Sequence, residues 1–202
     1  MNHKQMREQG YVLLSQLLQR PDEELLEIAG SPQVREFWKQ VERANHITFP
    51  MSWEIAALPD LAEWETMWNV TMGPVKPLAE PIESLYKPWT IDPSCEMTIA
   101  TQTGWLKGDW GCHMEEMLIS LGFEIPPQFA HCPDHLVLEL EFMSAIIAEA
   151  PEEVQINFIE HHLDWLRDLI DTARERNVPQ IYQDLYRWCF DYVDADLRTL
   201  KN

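Results

Sequence analysis

His131, Cys132, Asp134 and His135 place two imidazoles, a thiol and a carboxylate within five residues. Such a set has the residue types to hold a transition metal, and it supports one reading of the chain as a metal-dependent all-helical hydrolase. The order of the residues argues against that reading. Hydrolases of this class that use a histidine followed by an aspartate need that dipeptide, whereas here the pair runs Asp134-His135. If a helix opens at Pro133, both residues fall in its first turn, where the helix dipole favours a carboxylate by about 0.3–1 kcal/mol without any catalytic role. The neighbours His161 and His162 offer no second ligand pair, because adjacent side chains on a helix point about 100° apart.

Other catalytic patterns are missing. Gly104, Gly108 and Gly111 lack the spacing and the following lysine of a phosphate-binding loop, and there is no serine nucleophile elbow. Cys95, Cys112, Cys132 and Cys189 are spaced as neither a disulfide framework nor paired zinc ligands, so they read as reduced thiols. No catalytic residue and no metal ligand is assigned, and the expectation is a protein that is not an enzyme. Nine tryptophans and nine methionines exceed what an ordinary core of this size uses. Most belong in the core. A minority near the proline-rich connection suits recognition of an apolar peptide, since methionine adapts its shape and aromatics supply rigid area.

The elements that position these residues read as helices. Only seven glycines occur in 202 residues, and alternating strand patterns are weak. The first helix spans about His3 to Gln19, with Tyr11, Leu14, Leu17 and Leu18 on one face and Pro21 as its stop. Asp22 and Ser31-Pro32 are the starts of two more. From Ser52 to about Met72 an aromatic stretch, broken at Pro59-Asp60, reads as two helical pieces. Five of the fourteen prolines lie between Gly73 and Pro93, which makes that segment extended or turn-like. Helix resumes after about Lys107, with Asp109 as a cap, and stops at Gly122; a loop over about 122–133 follows. Three helices close the chain: one from Pro133, one after Pro151 that puts Phe158, His161, Trp165 and Leu169 on a single face, and one from about Pro179 to Leu200. The expected architecture is one all-α domain over residues 1–202.

Composition bounds the partners. Thirty-four acidic against fifteen basic residues give a net charge of −19, which repels nucleic acid and attracts cationic segments. No stretch approaches the roughly 20 apolar residues of a membrane span. The polar segment Met1–Gly10 lacks the pattern of a secretory signal, so the expected location is cytoplasmic.

Four segments, in order, carry a family likeness: Tyr11–Leu18 followed by Pro21; Met72-Gly73-Pro74 with Pro81-Ile82-Glu83-Ser84-Leu85-Tyr86; Cys132-Pro133-Asp134-His135-Leu136 running on to Glu139–Met143; and His161 with Trp165. Together they resemble the TorD/DmsD/NarJ family of molybdoenzyme maturation chaperones. The chain departs from the family pattern at His131, where an acid is common, and at Ile82, where an aromatic is common. The resemblance implies a TorD-like all-helical fold with a larger N-terminal and a smaller C-terminal part. It also implies binding of the twin-arginine signal peptide, or N-terminal segment, of a molybdopterin-containing oxidoreductase subunit. The client is then held in the cytoplasm until its cofactor is inserted. Guanine nucleotide binding is implied by the resemblance alone. A receptor for two guanidinium groups and an apolar stretch needs acids beside an apolar wall. The candidates are Glu80, Glu83, Asp134 and Glu139 for the acids, and Met72, Pro74, Pro81, Leu85 and Tyr86 for the wall, with Gly73, Ser84, Pro133 and His135 from the same segments. A monomer and a domain-swapped dimer both fit the long proline-rich connection, and a helical interaction module serving another partner is the remaining alternative.

Overall fold

A computed structural model of the chain describes residues 2–48, 50, 53–54 and 57–202. Their regular structure is all helix. Helices α1 (His3–Leu17), α2 (Glu23–Ala29), α3 (Pro32–Asn45) and α4 (Leu61–Met72) precede the proline-rich segment. Helices α5 (Gly108–Ser120), α6 (Leu136–Glu149), α7 (Glu152–His162), α8 (Leu166–Glu175) and α9 (Gln180–Leu200) follow it. Side chains chosen by local chemistry start the early helices. Asn2, Asp22, Ser31 and Asp60 accept hydrogen bonds from the backbone N–H groups of Gln5, Leu25, Val34 and Glu63, and each such cap contributes about 1 kcal/mol. The first of the two helical pieces expected from Ser52 lies largely outside the described residues, and the second is α4.

The core explains why these helices stay together. α1 lies along α6 and also meets α9, while α8 packs on α9, so the first and last helices share one interior. Tyr11, Leu14, Trp38, Trp64, Met114, Leu136, Leu140, Trp165, Leu169, Tyr186 and Trp188 are all buried in it. Each large apolar side chain removed from water contributes about 1.5–3 kcal/mol. Trp38 meets Trp188 edge-on, with ring centres 4.2 Å apart. Arg7 of α1 is buried against Asp196 of α9 and donates to Gln155 Oε1 of α7 at 2.7 Å, while the Tyr11 hydroxyl donates to Asp196 Oδ2 at 3.0 Å. This ion pair is enclosed and held by further hydrogen bonds to Gln155 and Tyr11, the condition under which a buried charge is tolerated. Among the described residues no helix is long and apolar enough to cross a membrane.

Three boundaries differ from those expected, each for a tertiary reason. α6 begins at Leu136 rather than Pro133, because Asp134 and His135 are drawn out to pair with the segment at Ile82 and Glu83. Asp109 does not cap α5. Its carboxylate instead accepts from Thr90 Oγ1 at 2.6 Å and from the Ile91 N–H at 2.9 Å, stapling the preceding loop to the helix. The single helix expected after Pro151 is two, α7 and α8, broken at Leu163–Trp165. Apolar periodicity runs on across that break, which hides it; within α7 the buried stripe of Gln155, Phe158 and Ile159 continues to His162 and leaves His161 exposed.

Candidate functional site

The proline-rich segment and the start of α6 form one joint. A single antiparallel bridge pairs Ile82 with His135. Around it the Leu136 N–H donates to the Pro81 carbonyl at 2.8 Å, and the Glu83 N–H donates to the Asp134 carbonyl at 3.0 Å. The Ser84 N–H donates to Asp134 Oδ2 at 2.7 Å. These bonds satisfy the backbone of a short 3-10 turn, Glu83–Leu85, that has no longer ladder of its own. Asp134 is fully buried, and desolvation raises its pKa against the opposing effect of the bonds from Ser84. Its second oxygen, Oδ1, accepts no hydrogen bond and faces the backbone of Gly111 on α5.

Beside the joint opens a groove of about 610 Å³, walled by the end of α1, by α4, by the 80–82 segment and by the 128–137 loop. Leu18, Trp68, Met72, Ile82, Phe129 and Val137 make most of its surface apolar. Pro74 and His135 contribute from the two motif segments, and Arg20, engaged by Glu65 at 3.0 Å, sits at the rim. His135 caps α6 by accepting the Val137 N–H on Nδ1 at 3.2 Å, and its ring lies 4.8 Å from that of Phe129. Gly73, next to the groove, closes α4. A Cβ there would stand 2.6 Å from the Asn69 carbonyl oxygen, so only glycine fits the turn.

A second cavity of about 510 Å³ lies on the other side of the same segment, lined by Leu85, Tyr86, Thr103, Asp168, Thr172 and Arg176 among others. Glu80 lines both. Its carboxylate is half-buried, has no hydrogen-bond or ion-pair partner among the described residues, and is raised in pKa by desolvation. An unpaired, partly desolvated acid between two cavities is a place where a cation gains.

Beneath the turn lies a polar cluster whose centre, Glu83, Glu139 and His162, is buried and whose outer members, His113 and Asp164, reach solvent. Glu83 accepts from Lys87 Nζ at 2.8 Å on Oε1 and meets His162 Nδ1 at 2.8 Å through Oε2. His162 Nε2 is in turn 2.8 Å from His113 Nδ1 of α5. Lys87 also donates to the His161 carbonyl at 2.7 Å, pairs with Asp164, and lies 3.9 Å from the centre of the Trp110 ring. Glu139 joins from α6, accepting from Trp165 Nε1 at 3.3 Å, and its pKa is raised well above the ordinary value by burial and by the adjacent Glu83.

The thirteen residues expected at the site therefore divide by depth. Met72, Pro74, Glu80 and His135 line the groove, while Leu85 and Tyr86 face the second cavity. Gly73, Pro81 and Pro133 are buried supports, and Glu83, Ser84, Asp134 and Glu139 are wholly interior. Of the four acids expected to receive guanidinium groups, Glu80 lines both of these cavities and the other three lie in the interior. The 131–135 residues do not converge on one point: His131 is exposed, Asp134 turns to Ser84 and His135 caps its helix. Sequence reasoning missed Leu18, Arg20, Trp68 and Phe129, which come from distant segments, and also Lys87, His113 and His162. For His162 a signal existed, since it continues the buried Gln155, Phe158 and Ile159 stripe of α7.

An all-helical body with an apolar groove beside a joint of two motif segments is the class the geometry defines. The sequence model of the nitrate reductase delta subunit family matches residues 31–180. The chain belongs to this family, the maturation chaperones that include TorD, DmsD and NarJ. It is similar to chaperone protein TorD of Shewanella sp. (strain MR-4), at 26% identity over 174 residues, covering 82% of this chain and 78% of the relative. No solved structure gives a significant match to the chain.

Proposed function

We propose that this protein is a cytoplasmic chaperone that holds the N-terminal segment of a molybdopterin-containing oxidoreductase subunit, in an exported client its twin-arginine signal peptide, while the cofactor is inserted. The observation that carries the reading is the apolar groove with Glu80, unpaired among the described residues, in its lining. The apolar stretch of the segment lies along Trp68, Met72, Ile82 and Phe129, and an arginine meets Glu80, whose partial desolvation strengthens the pairing. Family membership and the likeness to TorD support the maturation role. The buried acids Glu83, Asp134 and Glu139 serve this site by fixing the turn, not by touching the client.

Calorimetric titration with a twin-arginine leader peptide tests the reading. Tight binding that weakens about tenfold with a double-lysine version, and similarly with Glu80→Gln, is expected, since a charged hydrogen bond contributes about 1.5–3 kcal/mol. Equal affinity for both peptides and both proteins overturns the role of Glu80. No binding of any leader peptide overturns the groove.

A further inference from the structure

Glu83, Glu139 and His162 each bring one metal-ligating atom to within 4.8 Å of the others, and all three are buried. They come from three separate elements: the turn, α6 and α7. We propose that these three side chains form a binding site for one zinc-class divalent ion, apart from the client groove and independent of the client reading.

The argument rests on how each side chain is divided between an inward and an outward atom. Glu139 Oε2 accepts from Trp165, whereas its Oε1 is buried and accepts no hydrogen bond at all. Glu83 Oε1 is held by Lys87, leaving Oε2 toward His162. His162 presents Nδ1 to Glu83 and is fixed from behind by His113 at Nε2. Each candidate ligand thus has an outer partner that sets its orientation, the pattern that surrounds protein metal ligands. One imidazole nitrogen with two carboxylate oxygens is a donor set that zinc accepts with a fourth position left for water, whereas calcium and magnesium favour oxygen alone. The charges agree. The ligand set brings two carboxylates, Glu83 and Glu139, into one buried place, and the adjacent cation Lys87 is shared with Asp164. Lys87 does not fill the place of the ion, since its ammonium is drawn outward by Asp164 and the His161 carbonyl. The ion would pin the 83–87 turn to α6 and α7 and so fix the wall that carries Glu80.

The test uses the full chain freed of metal by chelator and titrated with Co²⁺, whose visible absorption reports low-coordinate nitrogen and oxygen ligation. One equivalent is expected to give that band, and Zn²⁺ is expected to abolish it. Glu139→Gln, which matches the shape of the protonated acid, is expected to weaken Co²⁺ binding by more than about 100-fold, and Glu83→Gln likewise. In the unsubstituted protein, Zn²⁺ is expected to shift the ring resonances of His162 and His113 but not those of His131 or His3, a readout independent of whether any variant folds. Absence of the band, undiminished binding by folded Glu139→Gln, or shifts confined to His3 and His131 would each overturn the proposal.

Discussion

Asp134 shows how a charged residue in a recognisable motif can be structural. Its carboxylate is fully buried and holds the Ser84 N–H, so truncation leaves an enclosed donor unpaired. Asp134→Ala is expected to lower stability by about 1–3 kcal/mol in urea denaturation, with client affinity falling only as the turn loosens. His135, its neighbour, is a proton acceptor held neutral. Its Nδ1 accepts the Val137 N–H, and desolvation holds the imidazole at about 3, against an ordinary 6.5. Below about 6.5 the unfolded chain takes up a proton that the folded chain refuses, so this residue's contribution to stability declines as pH falls from there toward 3. His135→Asn, which keeps a capping side chain, is expected to flatten that part of the acid limb in melting curves recorded across pH. Neither role could be read from the sequence. The Asp134-His135 pair is visible as a motif, but its use as a staple depends on Ile82 and Ser84, some 50 positions away.

At the scale of elements, apolar spacing and caps were legible and junctions were not. Asp22 and Ser31 read as helix starts because a short polar side chain can satisfy an orphan N–H from within its own segment. Asp60, which reads only as a break, caps α4 in the same way, and Asp109, which reads as a cap, does not cap α5. The late start of α6 and the break between α7 and α8 arise from contacts across the fold, which no local pattern carries. The packing of α1 on α9 is similarly invisible in the sequence, yet one residue reports it. A Cβ on Gly10 would stand 2.1 Å from the Tyr192 hydroxyl oxygen and 2.4 Å from the ring carbon that bears it. That ring is buried and its hydroxyl donates to the Arg7 carbonyl at 2.9 Å, so it has no room to retreat. Gly10→Ala should therefore destabilise the protein by about 1–3 kcal/mol, despite the higher helix propensity of alanine, as chemical denaturation would measure.

For the whole molecule, the net charge of −19 acts at a distance that the groove does not. Long-range attraction speeds the encounter with a basic segment and is screened over about 8–10 Å at ordinary salt, whereas contact at a partly desolvated acid is screened less. Stopped-flow association of a basic leader peptide is accordingly expected to slow several-fold between about 0.05 and 0.5 M salt, with the dissociation rate changing much less. The all-α class, the acidic character and the place where the two motif segments meet could all be anticipated. The depth of each acid could not, because burial is decided by how α5, α6 and α7 close over the turn.

The 80–87 segment is a partition as well as a wall. Glu80 lines the apolar groove on one side and the cavity of Asp168 and Arg176 on the other. If Glu80 receives a cation, as proposed, two cations on its opposite sides share one negative charge and repel each other, so a positively charged occupant on either side is expected to lower the affinity of the other side for a second. By thermodynamic reciprocity that penalty is the same whichever arrives first. On the proposed reading, a thin, turn-built divider would couple two separate cavities through a single side chain.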